Sequence, residues 1–142
     1  MKVKALSCYQ PYAWMIVNGY IDIDDRSKPF SHRGILAIHA SRRLHTPYYL
    51  FVKHVLKVPI PDADKLDYGA IVGTVELIDC IPPGAPTAVP PQRRAHGGAD
   101  CYGLVFQNAK RVSPIATRGM PGLFDVDLPA QIATPSDQSN LF

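Results

Sequence analysis

The first forty-one residues hold the side chains whose types and spacing could do chemistry. Asp24 and Arg26 lie two residues apart in a stretch that alternates between apolar and polar residues. Residues two apart on a β-strand project to the same face, so this carboxylate and this guanidinium should lie side by side. A guanidinium can bind phosphate bidentately, and the carboxylate can orient it or accept from a base amino group. The pair indicates an anion- or base-binding site; the alternative is an ordinary surface ion pair, worth at most about 1 kcal/mol.

A helix start next to this pair offers a second set of polar and aromatic groups. Gln10 precedes Pro11, which is tolerated in a first helical turn because its missing N–H would be unpaired there anyway. The exposed amides of such a turn favour an anion, and the Gln10 amide could read a base edge because it both donates and accepts. The alternative is that Gln10 bonds the local backbone. Tyr9, Tyr12 and Trp14 could stack on bases, although we expect Trp14 to lie in the core.

A third group of candidates lies along one apolar stretch at residues 35–40. His39 lies near its end and is followed closely by Ser41. This histidine either contacts a ligand or is buried and satisfied by a neighbouring hydroxyl or carbonyl group. Arg33, Arg42 and Arg43 flank the same stretch at its two ends. If the fold gathers them they form a phosphate-binding rim, and if it scatters them they are solubilising charges.

These blocks, taken in order along the chain, resemble a known pattern. They read L-S-x-x-Q-P-Y-A-W at residues 6–14, then Gly19 followed by Asp24, Arg26 and Ser27, then R-G-x-L-x-I-H-A-S at residues 33–41. The combination resembles the ASCH domain family, a branch of the PUA-like β-barrels implicated in RNA binding. Residues 69–79 and 119–126 are similar to the family's middle and closing strands, so the resemblance covers about residues 3 to 129.

The resemblance implies a ligand cleft between the barrel and its helices. On this basis we expect RNA or a nucleotide-like ligand as the partner. The expected nucleic-acid-binding residues are Gln10, Asp24, Arg26, Arg33, His39, Ser41, Arg42 and Arg43.

A hydrolase built on the same cleft is the alternative function. Some members of the resembling family are amidases of acetylated cytidine, acting through a lysine two residues after the glycine that ends the first helix. That position is Ile21 here, and an alkyl side chain offers neither a lone pair nor a titrating proton, so we do not expect this amidase activity. Ribonuclease activity is also linked to the family, and its candidate residues are Lys53, Tyr49 and His39. Lys53 is otherwise a solvated residue of a helix.

Composition limits these functions further. At 142 residues with 46% hydrophobic residues, the chain can bury one core, which favours a single domain. The formal charge of +3 is too small to identify a nucleic-acid-binding protein, so any basic face must be local. An odd count of three cysteines without a C-x-x-C pair favours neither disulfides nor zinc, and it is typical of a reducing, cytoplasmic setting. We expect no metal and no cofactor. We also expect no membrane partner, because no segment approaches the ~20 apolar residues of a membrane span.

Periodicity predicts an α+β fold of five or six strands, and the resemblance implies that it is a small PUA-like β-barrel with two or three flanking helices. Helices are expected at residues 11–18 and 47–57. Strands are expected at residues 3–7, 20–26, 35–40, 70–80, 102–112 and 123–128. We expect residues 1–129 to form the domain and residues 130–142 a flexible tail.

The connection at residues 82–98 is rich in proline and glycine, and we expect no regular structure in it. It also carries a further basic group formed by Arg93, Arg94 and His96. A protein-interaction module that works through this connection is a third possible function.

Overall fold

The computed structural model describes residues 1–95 and 100–133, which form a mixed sheet flanked by short helices. The strands of this described part are β1 (Lys2–Gln10), β2 (Ile23–Arg26), β3 (Gly34–Leu44), β4 (Ala70–Ile81), β5 (Arg94–Ala95), β6 (Tyr102–Ala116) and β7 (Leu123–Asp127). The helices are α1 (Tyr12–Val17), α2 (Thr46–His54) and α3 (Ala130–Ala133), with 3₁₀ turns at Ala63–Lys65 and Pro91–Arg93. The predicted α+β class is confirmed.

The hydrogen-bonded order of the strands is β5-β2-β6-β4-β3-β1-β7. The β1–β3 and β2–β5 pairs are parallel, and the other pairs are antiparallel. Within the described residues the sheet ends at β5 on one side and β7 on the other, so the predicted closed barrel is not confirmed. Seven strands replace the predicted five or six. The additional strand, β5, has only two residues, which is too short for hydrophobic periodicity to detect.

The parallel pairing of β1 with β3 positions the polar residues of both strands. Its register places Leu6 beside Ile38 and Ser7 beside His39. Because parallel strands run in the same direction, the C-terminal parts of β1 and β3 emerge at one edge of the sheet. β3 also continues to Leu44, beyond its predicted end at residue 40, which carries further polar residues to that edge.

The core lies between α1 and the sheet. Ala13, Met15, Ile16 and Val17 are buried on α1. The helix approaches β4 so closely that a Cβ at Gly73 would lie 2.5 Å from Cγ1 of Val17, so only glycine fits there. Such burial stabilises the fold by about 25 cal/mol per Å² of apolar surface.

In both longer helices a preceding side chain accepts a hydrogen bond from a backbone N–H of the first turn. In α1, Oε1 of Gln10 accepts from the backbone N–H of Trp14 at 3.0 Å, and the chain turns away from the helix at Gly19, whose φ is +80°. In α2, Nδ1 of His45 accepts from the backbone N–H of Tyr48 at 3.1 Å. α2 ends at residue 54, short of the predicted residue 57, because Lys57 adopts a φ of 56° that a helix does not allow.

Two ion pairs fasten the end of the proline-rich connection to the sheet. Arg93 pairs with Asp22 at 2.5 Å, and Arg94 pairs with Asp25 at 2.7 Å. The expectation of no regular structure is therefore wrong for residues 91–95, where charge pairing overrides the proline-rich composition. The predicted basic group is neutralised at Arg93 and Arg94, and His96 lies outside the described residues.

The predicted tail begins with α3, where Ala133 is buried, and residues 134–142 lie outside the described part. In residues 1–95 and 100–133, no helix has the length and apolar character that crossing a membrane requires. Nor do three metal-ligating side chains come together in those two ranges. Cys8, Cys80 and Cys101 form no disulfide bond within the described residues.

Candidate ligand-binding site

A cavity of about 1170 Å³ lies where β1 and β3 end and the connection between β6 and β7 passes over them. Four arginines line it, Arg26, Arg42, Arg43 and Arg118, and none of the described residues that line it is acidic. We call it the arginine cavity. A cavity lined by one sign of charge concentrates ligands of the opposite sign, so its chemistry favours an anion.

Three of these arginines carry charge that the described part of the chain does not neutralise. Arg42, Arg43 and Arg118 form no ion pair with any residue in 1–95 or 100–133. The guanidinium of Arg42 lies against the backbone of Gly69, where an added Cβ would be 3.0 Å from its Cζ. The guanidinium carbon of Arg43 lies 5.8 Å from the ring centre of Tyr9, within the range of a cation–π contact.

Asp24 and Arg26 share a face of β2, as the alternation predicts. Nε of Arg26 donates to Oδ2 of Asp24 at 2.7 Å. Its Nη2 donates to the backbone carbonyl of Ser7 at 3.2 Å and contacts the sulfur of Cys8 at 3.3 Å. Asp24 is only 6% exposed, and burial raises its pKa while the Arg26 charge opposes that rise. The pair is therefore a sheltered one that joins β2 to β1.

Arg26 also lines a second cavity of about 420 Å³. Ser7, Tyr9 and Arg26 line both cavities, so the two cavities adjoin. The second cavity has aromatic walls, because Tyr12 and His45 line it with their rings 5.8 Å apart. We call it the aromatic cavity; its volume lies within the ~300–1,000 Å³ of small-molecule sites.

His39 is 2% exposed, and both of its ring nitrogens are hydrogen-bonded. Nε2 lies 2.7 Å from the backbone oxygen of Thr117, and Nδ1 lies 2.9 Å from the hydroxyl oxygen of Ser7. A carbonyl oxygen only accepts, so the neutral ring carries its proton on Nε2, and Nδ1 accepts from the Ser7 hydroxyl. These contacts match the buried, satisfied histidine of the simpler interpretation, yet His39 and Ser7 also line the arginine cavity.

Gln10 lies apart from these residues. Its side-chain amide donates to the backbone carbonyl of Asp67 at 2.8 Å and accepts from Trp14, and the residue is 1% exposed. It lines a different cavity, of about 380 Å³, beside α1. Its contacts are those of a residue that bonds the local backbone. Trp14 is half-buried against the core and stacks on Tyr20 at 5.5 Å.

Lys53 and Tyr49 meet each other but not His39. Nζ of Lys53 pairs with Asp62 at 2.5 Å and donates to the Tyr49 hydroxyl at 3.4 Å, which itself donates to the backbone carbonyl of Pro61. Neither residue lines the arginine cavity. Hydrogen bonding to Asp62 raises the pKa of Lys53, so its ammonium stays protonated and offers no lone pair to a reaction.

Arg33 is also separated from the other arginines. It precedes β3, and its Nη1 donates to the backbone carbonyls of Phe30 and His32 at 2.7 and 2.8 Å. Arg42 and Arg43 lie near the other end of that strand, roughly 30 Å away at the usual rise per residue. Ser41 does line the cavity, and its hydroxyl accepts from the backbone N–H of Arg43 at 3.3 Å.

The structure adds residues that the sequence did not single out. Ser7 lies inside the first sequence block, but no spacing marks it as the partner of a histidine 32 residues away. Thr117 and Arg118 lie in a connection with no recognised motif, and Gly119 begins a block that the resemblance identifies only as a closing strand. Gly119 packs over the pair, because a Cβ there would be 2.7 Å from Cε1 of His39 and 3.3 Å from the Ser7 hydroxyl oxygen.

Ile21, at the position of the amidase lysine, is 2% exposed and lies in the core. The structure therefore provides no ionisable group at that position.

No protein-family model matches the sequence, and no curated protein matches it in sequence. The fold is similar to the crystal structure of ASCH from Zymomonas mobilis, with a TM-score of 0.54, 13% sequence identity and coverage of 87% of each chain. Two single-substitution variants of that protein are similar, with TM-scores of 0.54 and 0.53. At this identity the likeness concerns the fold.

Proposed function

We propose that this chain, which has the fold of the ASCH domain proteins, binds single-stranded RNA or a nucleotide-like ligand in the arginine cavity. One observation carries the proposal: Arg42, Arg43 and Arg118 line the cavity with Arg26, and no acidic residue lines it among those described. The shared fold supports the proposal only as far as the RNA-binding association of PUA-like domains.

The arginines would hold the phosphates of such a ligand. Guanidinium groups form paired hydrogen bonds to phosphate oxygens. Arg42 and Arg43 come from β3, whereas Arg118 comes from the connection after β6, so a phosphate between them would be held from two sides. Arg26 keeps Nη1 without a hydrogen-bond partner among the described residues, which leaves it a further donor.

The aromatic cavity would take a base. Its aromatic lining residues Tyr9, Tyr12 and His45 offer ring faces or edges to a planar ligand. Base stacking on an aromatic side chain is worth about 1–3 kcal/mol. Since Ser7, Tyr9 and Arg26 line both cavities, one nucleotide could place its base in the aromatic cavity and its phosphate in the arginine cavity.

Fluorescence anisotropy with a labelled single-stranded RNA tests this function. Replacing both Arg42 and Arg43 with glutamine should weaken binding roughly thirty-fold, at about 1 kcal/mol for each exposed charge-assisted contact. The matched control is Arg111→Gln, which removes one exposed arginine of β6 that does not line the arginine cavity. Equal losses in the two proteins, or no binding by the wild type, would reject the proposal.

Arg33 is measured in the same series. The sequence predicts that it joins the rim, and the structure places it at the far end of β3. A loss in Arg33→Gln as large as that caused by Arg42 and Arg43 would mean that the ligand runs beyond the cavity along the sheet. Unlabelled AMP and single-stranded DNA as competitors separate a nucleotide site from an RNA site.

A further inference from the structure

We infer that Ser7 is a nucleophile and His39 its general base, and that they cleave acyl esters of a ribose hydroxyl. The identity of the alcohol part, a nucleotide or an RNA, rests on the proposed function. The nucleophile and its base rest on their own geometry.

The geometry meets three requirements of an activated serine. The nucleophile must hydrogen-bond the base, and the Ser7 hydroxyl lies 2.9 Å from Nδ1 of His39. The base must be oriented by a third group, and the carbonyl of Thr117 holds Nε2 at 2.7 Å. The pair must face a space that admits a substrate, and both residues line the arginine cavity.

The proton positions fit this role. Since the Thr117 carbonyl fixes the ring proton on Nε2, the lone pair of Nδ1 faces the Ser7 hydroxyl, which is the arrangement that removes its proton. The T-shaped contact of the ring with Phe124, at 5.9 Å, further limits its rotation. Gly119 covers the pair from the side of the connection, where a side chain would collide with the imidazole.

The surroundings indicate an ester with an anionic alcohol part. The third group behind His39 is a neutral carbonyl, which stabilises an imidazolium less than the carboxylate of a serine-hydrolase triad does. This suits an ester, whose alkoxide leaves more readily than the amine of an amide. Arg42, Arg43 and Arg118 supply the charge that would hold a phosphate of the departing alcohol.

The reaction balances with water as the co-reactant. Oγ of Ser7 forms a bond to the acyl carbon while its proton passes to Nδ1 of His39. Arg26 lines the same cavity as Ser7 and would supply a positive charge for the resulting oxyanion. The C–O bond to the ribose then breaks, and the ribose oxygen takes the proton from Nδ1. Water attacks the acyl-serine with His39 again as base, which releases the carboxylic acid and restores Ser7.

A fluorophosphonate probe tests the nucleophile without RNA. We expect one adduct, located on Ser7 by mass spectrometry of the digested protein, and none in Ser7→Ala. Ser31→Ala is the matched control, because Ser31 is exposed and lies outside the cavity. His39→Gln should slow labelling at least 100-fold. If Ser7→Ala does not fold, Ser7→Cys keeps the side-chain size and should accumulate an acetyl thioester when treated with p-nitrophenyl acetate.

Hydrolysis of 3′-O-acetyl-AMP, followed by chromatography of AMP, tests the substrate class. Turnover should fall at least 100-fold in Ser7→Ala. A folded wild type that is not labelled, or turnover that persists in Ser7→Ala, overturns the inference while RNA binding stands or falls separately by anisotropy. Labelling of Ser7 with no turnover of 3′-O-acetyl-AMP keeps the nucleophile and overturns the ribose ester.

Discussion

The contact between Asp24 and Arg26 contributes both to the candidate site and to the stability of the fold. Its carboxylate is buried and bonded to Arg26, which is itself 29% exposed on its side chain. Arg26→Ala should therefore reduce the free energy of unfolding by about 3 kcal/mol, the lower end for breaking a buried pair, because it leaves a buried charge unpaired. Urea unfolding at neutral pH measures this loss.

The same variant should show a pH dependence of known sign. Burial raises the pKa of Asp24, so the folded state binds this proton more tightly and stability falls as the pH rises through the folded pKa. Removing Arg26 removes the charge that opposes this rise, so the loss should be smaller at about pH 5 than at neutral pH. The double variant Asp24→Asn/Arg26→Ala has no carboxyl group at position 24 to titrate. If it shows the same pH dependence, Asp24 is not the cause.

Cys8 should be the least reactive of the three thiols. Burial raises its pKa to about 12, so at pH 8 the thiolate fraction is about one part in ten thousand. In the native protein iodoacetamide should modify Cys80 and Cys101, which are partly exposed, well before Cys8. Peptide mass spectrometry after timed quenching measures the three rates, which should become similar in urea. Equal rates in the native protein would contradict the burial of Cys8.

At the scale of single residues, the sequence predicts which side chains share a face of a strand, because strand alternation determines this. It places Asp24 and Arg26 on one face because their spacing is local. It does not find Ser7 as the partner of His39, because that contact depends on which strands pair and in which register. Gln10 shows both cases: its local bond to the backbone N–H of Trp14 follows from its position at a helix start, but its bond to the carbonyl of distant Asp67 depends on the fold.

The connection between β6 and β7 packs closely against the candidate site at Gly119. Gly119→Ala would place a Cβ 2.7 Å from His39, so the connection or the imidazole must shift. We expect fluorophosphonate labelling to fall at least ten-fold and the free energy of unfolding to drop by about 1–3 kcal/mol from overpacking. Met120→Ala, at a 56% exposed neighbour, serves as control in thermal unfolding. Unchanged labelling in Gly119→Ala would separate this connection from the Ser7–His39 pair.

At the scale of elements, periodicity predicts the six longer strands and both longer helices, with errors at their ends. β3 extends beyond its predicted end because residues 41–44, which follow the apolar stretch and are mostly polar, continue the strand beside the cavity. β5 is missed because Arg93 and Arg94 reach Asp22 and Asp25 through ion pairs between distant parts of the chain. The order of the strands could not be predicted, since it depends on pairings across more than 100 residues.

For the whole molecule, the small net charge of +3 hides a local concentration of arginines. If that concentration binds RNA, log affinity should fall linearly with log salt concentration. Neutralising Arg42 and Arg43 should flatten the slope by about 0.7 for each arginine, the value for single strands. Arg111→Gln should leave the slope unchanged, and anisotropy titrations at several salt concentrations measure all three proteins. A wild-type slope near zero would point to an uncharged small ligand.

The pairing of β1 with both β3 and β7 also determines the order in which these strands can pair during synthesis. Lys2 pairs with Asp127, and the N-terminal ammonium donates to the carbonyl of Leu128 at 2.7 Å. A ribosome adds roughly 5–20 residues per second. The edge of β1 that pairs with β7 therefore stays unpaired for several seconds after β3 has been made. During that interval the nascent chain presents an unpaired strand edge, the kind of surface on which chains aggregate. The connection at residues 117–122 emerges equally late, so no ligand of the arginine cavity could protect the chain before those residues have been made.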